Sequence, residues 1–146
     1  MSGLKIAIGA DHGGFELKNE LVQFISSNGY EFKDFGIYEK ISVDYPIISK
    51  TIAKAVANGE YDRGIIICGS GLGVAIAANK IRGIRAVTCH DTYSARMSRA
   101  HNNANVLTMG ERVIGKGLAV DVLNVWLKSE FEKGRHEKRV SMIEDL

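Results

Sequence analysis

Short runs of apolar, β-branched residues alternate with helix-period segments along the whole sequence. Five runs are typical of strands, at 4–10, 30–36, 63–68, 84–89 and 105–110, and helical periodicity fills 15–29, 44–60, 71–81, 91–103 and 115–129. Strands that alternate with helices of about 10–15 residues build right-handed crossovers and a parallel sheet. The sequence therefore predicts one α/β domain over 1–146, doubly wound and Rossmann-like, with three α/β/α layers and five parallel strands.

Local signals give further expectations. Leu17, Leu21, Phe24 and Ile25 share one face of the first helix, and Gly29 is typical of a helix end. Asp44 is placed to cap the second helix, with Pro46 in its first turn and Ile48, Ile52 and Val56 on its inner face. The segment 30–36 is the least apolar strand, which predicts a position near an edge. The segment 132–146 has no partner strand and predicts a basic helical tail outside the sheet.

Composition limits the function classes. The 146 residues carry a formal charge of +2, too little to indicate a nucleic-acid or membrane partner. No apolar run approaches the roughly 20 residues that cross a bilayer, and the N-terminus lacks a signal-peptide pattern. Cys68 and Cys89 suggest no disulfide framework, and no Cys/His metal spacing is present. We expect a cytoplasmic protein without a bound metal.

Ligands of an open parallel sheet bind beyond the carboxyl ends of the strands. The segments that follow the predicted strands there are 9–14, 68–73, 89–91 and 110–112, and all but the second hold charged or imidazole side chains. In the second, Gly69, Gly71 and Gly73 would let a ligand approach the backbone amides. The helix predicted to begin near Leu72 would favour an anion there, whether a phosphate, an oxyanion or the Cys68 thiolate.

Each candidate also has an interpretation without function. Cys68 is equally well explained as a small buried residue, and for Cys89 that interpretation is favoured. Asp11 and His12 pair a carboxylate with an imidazole, suited to proton transfer, but an Asp that caps a helix is common. His101 has a structural interpretation as well, because an imidazole at the C-terminus of a helix interacts favourably with the helix dipole. Arg135 and Arg139 share a helix face, which fits a phosphate or an ordinary solvated surface.

Rival motifs fail at one position. A Cys-x5-Arg phosphatase loop needs arginine at position 74, and a GxGxxG dinucleotide loop needs glycine there, but the residue is Val74. Asp91 lies about 20 residues past the glycine loop, so nucleotide binding stays open.

The sequence resembles a known family over nearly its whole length. The stretches GADHGGFELK, DYP, CGSGLGVAIAANKIRGIRA, YSARMSRAHNNANVLTMGERVIG and GRHEKRV are similar, in the same order, to those of the type B ribose-5-phosphate isomerases. That family also includes the galactose-6-phosphate isomerase subunits. The resemblance implies a cofactor-free aldose–ketose isomerase that interconverts ribose 5-phosphate and ribulose 5-phosphate through ring opening and a cis-enediolate.

The resemblance also implies roles for individual residues. Cys68 would be the base that takes the C2 proton, because Val74 and Ala75 stand where other members carry a glutamate. Ser70 and the amides of 69–73, with their three glycines, would hold the enediolate, and His101 and Asp11 would open the ring. Tyr45 and Asn102 would contact the sugar. The phosphate would be bound by His12, Arg112, Arg135 and Arg139.

The family implies homodimers or tetramers with shared sites, in which the neighbouring subunit supplies His101, Asn102 and the three arginines. The tail 132–146 would then lie on that subunit. Many members have aspartate where this chain has Asn103, so a charge role at that position is in doubt. Two alternatives remain: an isomerase for hexose phosphates such as allose or galactose 6-phosphate, and a non-catalytic module that binds a nucleotide or sugar phosphate.

Overall fold

The protein is described by a computed structural model that covers residues 3–146 and is built on a five-stranded parallel sheet. The strands are β1 (Lys5–Ala10), β2 (Glu31–Asp34), β3 (Arg63–Cys68), β4 (Ala86–Thr88) and β5 (Val106–Gly110). Their order across the sheet is β2-β1-β3-β5-β4, and every neighbouring pair is parallel. The predicted five-stranded parallel sheet is confirmed, and so is the edge position of the second strand.

Helices connect the strands at the places where the periodicity predicts them. They are α1 (Phe15–Ser27), α2 (Tyr45–Ala57), α3 (Leu72–Ala78), α4 (Thr92–Ala100), α5 (Lys116–Lys128) and α6 (Arg135–Glu144), with one turn of 3-10 helix at His12–Gly14. The last helix lies in the predicted tail and follows no strand. Among residues 3–146, no helix combines the length and the apolar character that a membrane crossing requires.

The helices cover both faces of the sheet. On one face, Ile52 of α2 and Val74 of α3 pack with Ile66. On the other, Leu21 of α1 and Trp126 of α5 pack with Ile65 and Ile67. Successive side chains of a strand point to opposite faces, so the three isoleucines of β3 fill both cores. The result is the predicted three-layer, doubly wound α/β fold.

Two predicted helix ends have different outcomes. Gly29 has a φ of +76° just after α1, and the amide of Tyr30 donates to the Ile25 carbonyl, so the predicted glycine stop is confirmed. Asp44 does precede α2, but the prediction that its side chain caps the helix is wrong. The Asp44 carboxylate is exposed, and it is its backbone carbonyl that accepts from the amide of Ile47.

β4 is shorter than the predicted strand 84–89. The amide of Arg85 donates to the side-chain Oδ1 of Asn105 at 2.8 Å, not to a strand carbonyl. The amide of Ala86 likewise donates to Oδ1 of Asn79 at 2.7 Å. Side chains thus replace ladder hydrogen bonds at the start of β4, a substitution that apolar patterning does not reveal.

Candidate active site

The connections of the sheet change direction between β1 and β3. From β1 the chain moves outwards to β2, then crosses back to β3 and continues towards the opposite edge. The loops after β1 and β3 therefore diverge and leave a crevice at the carboxyl ends of these strands. They still touch at its base, where a Cβ on Gly13 would lie 2.9 Å from the Gly69 amide nitrogen. Only a residue without a side chain fits this contact.

A cleft of about 410 Å³ opens at this crevice. Its walls come from the loop after β1, the start of α2, the loop after β3 and the loop after β5. The lining residues are Asp11, Tyr45, Cys68, Gly69, Ser70, Gly73, Arg112 and Val113. The cleft thus brings together seven residues that the sequence singled out, from four separate parts of the chain.

The Cys68 thiol lies at the end of β3 and is 5% exposed. The amide of Gly71 donates a hydrogen bond to its sulfur at 3.1 Å. Gly71 has a φ of +79°, and a Cβ there would lie 2.7 Å from the Met109 carbonyl carbon. Both the backbone conformation and the close approach require glycine. The Gly71 amide thus fixes the position of the sulfur at the wall of the cleft.

Two threonine hydroxyls hold the other side of Gly71. Thr108 Oγ1 lies 2.7 Å from the Gly71 carbonyl oxygen, Thr88 Oγ1 lies 3.0 Å from it, and the two hydroxyls are 2.8 Å apart. With two hydroxyl protons, at least one donates to the carbonyl. The residue that donates to the Cys68 sulfur is thereby anchored on β4 and β5. Neither threonine has a signal in the sequence, because Thr108 in the middle of β5 and Thr88 at the end of β4 both look like ordinary β-formers.

Asp11 is both a helix cap and a residue of the cleft, so it fits the structural and the functional interpretation of its sequence position. Its carboxylate is 7% exposed, accepts from the Gly13 amide at 2.9 Å as a cap of the 3-10 turn, and also lines the cleft. His12 lies in that turn, and its Nδ1 accepts from the Val43 amide at 3.3 Å. The imidazole is therefore fixed through Nδ1, which leaves Nε2 for another partner.

Tyr45 and Arg112 lie against the glycine loop. A Cβ on Gly73 would lie 2.5 Å from Cε1 of Tyr45, and one on Gly69 would lie 2.7 Å from Nη1 of Arg112. The exposed Ser70 hydroxyl accepts from the Leu72 amide at 3.2 Å. Among the described residues none accepts from the Ser70 amide, and the first-turn amide of Gly73 has no partner within its own helix. These amides are available to an anionic oxygen.

Six of the sequence candidates do not line the cleft. His12 and Gly71 belong to the loops that border it, whereas the other four lie elsewhere: His101, Asn102, Arg135 and Arg139. Helix α4 begins beyond the carboxyl end of β4 and runs back, so His101 at its end lies towards the amino ends of the strands. Arg135 and Arg139 are exposed on α6. One chain therefore carries the predicted site residues in two separate groups, one at the carboxyl ends of the strands and one towards their amino ends.

The second group is organised around two stacked imidazoles. The rings of His101 and His136 lie 4.1 Å apart, at 9° to one another, and Glu132 Oε1 is within 3.7 Å of both Nε2 atoms. Loss of solvent contact lowers the pKa of His136, and the neighbouring His101 lowers it further. His136 and Glu132 had no sequence signal, because their relation to His101 arises only from the fold.

The second cysteine has a different environment. Cys89 is 2% exposed in the core beneath α4 and α5, and burial raises the pKa of its thiol to about 11. It has the surroundings of an inert core thiol. His90, which the sequence analysis did not select, accepts from the Gly110 amide through Nε2 at 2.9 Å. Burial lowers the pKa of His90, as expected for an imidazole whose Nε2 serves as an acceptor.

The cleft lies at the switch point of a doubly wound sheet and is lined by a glycine loop, a thiol and a carboxylate. These features are typical of an α/β protein that binds a small polar ligand. Comparison with known proteins identifies its family. The family described as "Ribose/Galactose Isomerase" matches residues 6–143, so the chain belongs to that family. It is a sugar-phosphate isomerase, as the sequence resemblance implied.

Individual relatives align along almost the full chain. A "Ribose-5-P isomerase B" of Listeria innocua is 49% identical over 98% of this chain and 97% of its own. The "Ribose-5-phosphate isomerase B" of Escherichia coli is 50% identical over 95% and 93%. A "D-erythrulose-4-phosphate isomerase" of Pectobacterium atrosepticum is 43% identical over 96% and 93%. The solved structure of ribose-5-phosphate isomerase B from Clostridium thermocellum has a TM-score of 0.96 at 55% identity, over 97% of this chain and 96% of that one.

Proposed function

We propose that this protein interconverts ribose 5-phosphate and ribulose 5-phosphate, with Cys68 as the base that moves the proton between C2 and C1. The observation that carries the proposal is the position of the Cys68 thiol, on the wall of the cleft with the Gly71 amide donating to its sulfur. Two relatives that are 49% and 50% identical bear the name ribose-5-phosphate isomerase B, which favours this substrate pair.

The reaction needs ring opening before proton transfer. In the cyclic sugar, a base takes the proton of the C1 hydroxyl and an acid protonates the ring oxygen as the C1–O bond to it breaks. We assign these roles to Asp11 and His101. In the open chain, Cys68 takes the C2 proton and returns it to C1, while the hydroxyl proton on O2 moves to O1. The sugar gains and loses no atoms, and only the carbonyl changes place.

The cleft offers suitable partners for the charges that form. Negative charge develops on O1 and O2 in the enediolate, and the amides of Ser70 and Gly73 are free to donate to these oxygens. The Ser70 hydroxyl and the Tyr45 phenol border the same space. Arg112 lies over Gly69, where its guanidinium can pair with the phosphate together with Nε2 of His12.

The two groups of site residues support a site shared between subunits. Four candidates lie away from the cleft, towards the amino ends of the strands, so a single chain does not bring them to Cys68: His101, Asn102, Arg135 and Arg139. We propose that a second copy supplies them and that the tail 132–146, part of the single domain 1–146, packs against that copy. The phosphate then lies between Arg112 of one subunit and the α6 arginines of the other.

Solvent-deuterium incorporation into ribose 5-phosphate tests the reaction, because a proton held by a protein base exchanges with D2O. We expect deuterium at C1 or C2 with the wild-type chain and almost none with Cys68→Ala, which should still bind the sugar phosphate. Cys89→Ala is the matched control and should keep the wild-type rate. Binding without any exchange in the wild type would favour a non-catalytic module, and full turnover by Cys68→Ala would exclude the thiol base.

Mixing two inactive variants tests the shared site. Cys68→Ala and His101→Gln each disable every site of their own homodimer. In a mixed dimer, one of the two sites combines an intact Cys68 with an intact His101. Random exchange at equal amounts makes half of the dimers mixed, so about a quarter of the wild-type activity should return. No recovery after verified subunit exchange would mean that each chain acts alone.

A second substrate class has a specific observation in its favour. The Pectobacterium relative named for D-erythrulose 4-phosphate is 43% identical, and a galactose-6-phosphate isomerase subunit of Clostridium acetobutylicum is 36% identical over 92% of this chain and 78% of its own. Values of kcat/KM for phosphates of four-, five- and six-carbon sugars, measured side by side, decide between them. We expect the pentose phosphate to be preferred, and a higher kcat/KM for another chain length would replace it.

A further inference from the structure

A second cavity, of about 520 Å³, opens at the amino end of β3 and shares no lining residue with the cleft that holds Cys68. Its volume is in the range of small-molecule sites. Most of its uncharged lining residues are apolar, among them Leu127 and Phe131. Four cations and one carboxylate complete the lining: Arg63, Arg99, Lys128, Lys133 and Glu130. We call this space the basic cavity.

Arg99 is the most buried charge of the basic cavity, and its side chain has only neutral partners. It is 4% exposed. Its Nη1 donates to Oδ1 of Asn103 at 2.9 Å and to the Ala104 carbonyl at 2.6 Å, and its Nε donates to the Ser129 carbonyl at 3.4 Å. Among residues 3–146, no carboxylate lies within 4.0 Å of this guanidinium. Because arginine is almost never buried without a charged partner, an anion is missing here.

Arg63 brings a second guanidinium with unused donors to the same space. Its Nε is buried and has no hydrogen-bond partner among the described residues, while its Nη1 donates to the Asp62 carbonyl at 3.1 Å. The Asp62 carboxylate accepts from the Lys5 amide at 2.9 Å and lies beyond ion-pair distance of Arg63. The Nη2 of Arg99 also has no acceptor within the described part of the chain. Two guanidinium groups therefore keep N–H donors for a ligand.

The charges around Arg99 repel one another. Burial, and then the charges of Arg63 and Arg85, lower the pKa of Arg99 to about 10. Arg85 already has a counterion, since its Nη1 lies 3.0 Å from Glu144 Oε2. Asn103, which accepts from Arg99, contributes no charge. The positive charge of Arg63 and Arg99 is thus left uncompensated where solvent cannot screen it fully.

We propose that the basic cavity binds the phosphate group of a small organic anion, with the guanidinium groups of Arg63 and Arg99 as its ligands. A guanidinium fork matches the geometry of phosphate oxygens, and two forks suit a doubly charged group better than a single carboxylate. Leu127 and Phe131 offer apolar contacts to the organic part. The exposed Glu130 opposes an anion, but the four cations of the lining outnumber it. The site is separate from the proposed isomerisation, which uses none of these residues.

Isothermal titration with phenyl phosphate, in a phosphate-free buffer, tests the site. All titrations use full-length protein that carries Arg112→Gln, so that the phosphate contact of the cleft is removed. A charge-assisted hydrogen bond contributes at least about a factor of 10 to affinity, so Arg63→Gln should weaken binding by at least about 10-fold. Asn103→Asp should weaken it as much, because it keeps every donor and places a carboxylate where it competes for Arg99. Asn58→Asp, the same change at an exposed position outside the lining, should bind as the parent does.

Nuclear magnetic resonance shows where the ligand binds in the wild-type chain. The Nε–H resonance of Arg63, identified by its loss in Arg63→Gln, should shift on addition of phenyl phosphate. No shift would overturn the site, whether because the cavity binds no anion or because a second copy covers it. Equal binding by Asn103→Asp and its parent would refute the role of Arg99. Inorganic phosphate should bind more weakly than phenyl phosphate, and equal affinity would refute the organic part of the ligand.

Discussion

Thr108→Val tests how firmly the fold holds the loop that borders Cys68. Thr108 is fully buried, and its hydroxyl lies 2.7 Å from the Gly71 carbonyl oxygen. Valine keeps the shape of the side chain and removes the hydroxyl. A neutral hydrogen bond contributes about 0.5–1.5 kcal/mol net. Because Thr88 Oγ1 lies 3.0 Å from the same carbonyl and can still donate, we expect a loss of about 1 kcal/mol.

The expected change is measurable by calorimetry. An unfolding entropy of about 2.1 cal/mol/K per residue gives roughly 0.3 kcal/mol/K for a chain of this length, so Tm should fall by about 3 °C. The double variant Thr88→Val/Thr108→Val leaves the carbonyl without a hydroxyl donor, and the free-energy loss should exceed the sum of the single losses. Thr51→Val is the control, because its hydroxyl bonds the Ile47 carbonyl on an exposed helix face and should matter little.

The same variants report on the thiol. We call the two threonine hydroxyls at the Gly71 carbonyl, those of Thr88 and Thr108, the clamp on Gly71. If this clamp also aims the Gly71 amide at the Cys68 sulfur, kcat should fall while KM changes little, because the substitutions affect the reacting group and not the phosphate site. A Tm equal to that of the wild type in both the single and the double variant would refute the clamp. A lower Tm with unchanged kcat would show that the clamp stabilises the fold without positioning Cys68.

The remaining predictions concern individual side chains. Iodoacetamide at pH 7 should alkylate Cys68 and spare Cys89, whose thiol with a pKa of about 11 is only about 0.01% ionised; peptide mass spectrometry checks this, and faster labelling of Cys89 would contradict it. Burial lowers the pKa of His90 below its ordinary value of about 6.5, so the unfolded chain takes up this proton more readily than the folded one. The free energy of unfolding should therefore be highest above about pH 6.5 and decrease towards pH 5, and His90→Gln should flatten that slope in urea titrations; an equal slope in both proteins would exclude His90 as its source. Asn103→Asp should raise Tm by about 3 °C, because Oδ1 already accepts from Nη1 of Arg99 at 2.9 Å and a charged acceptor adds about 1 kcal/mol. Burial and the charges of two nearby arginines lower the pKa of Arg99 to about 10, so a carboxylate there relieves an unfavourable charge, and a lower Tm would contradict this reasoning.

The alternation of strand and helix segments along the sequence was sufficient to predict the fold, but not the bounds of every strand. Strand 63–68 was predicted to the residue, because its isoleucines are buried on both faces and need no context. The strand 84–89 was predicted too long, since Asn79 and Asn105 replace its first ladder bonds with side-chain bonds from distant positions. Short-range patterns do not contain that information.

The cleft could be predicted only in part, for a similar reason. The rule that ligands bind beyond strand ends selected Asp11, Cys68 and Arg112, which line the cleft. It could not select Thr108, whose hydroxyl acts from the middle of a strand. Nor could it place His136 against His101, because that stack depends on how the last helix returns to the end of α4.

The strand order also constrains how the chain can fold during synthesis. β3 lies at the centre of the finished sheet between β1 and β5, and β4 pairs only with β5. On the ribosome, β3 and β4 both appear before the strand that joins them. Until residues 106–110 leave the exit tunnel, the isoleucine-rich β3 has one open edge, and β4 has no partner strand at all. The nascent chain thus exposes one edge of its most apolar strand while residues 69–110 emerge, which makes this interval the period of greatest aggregation risk.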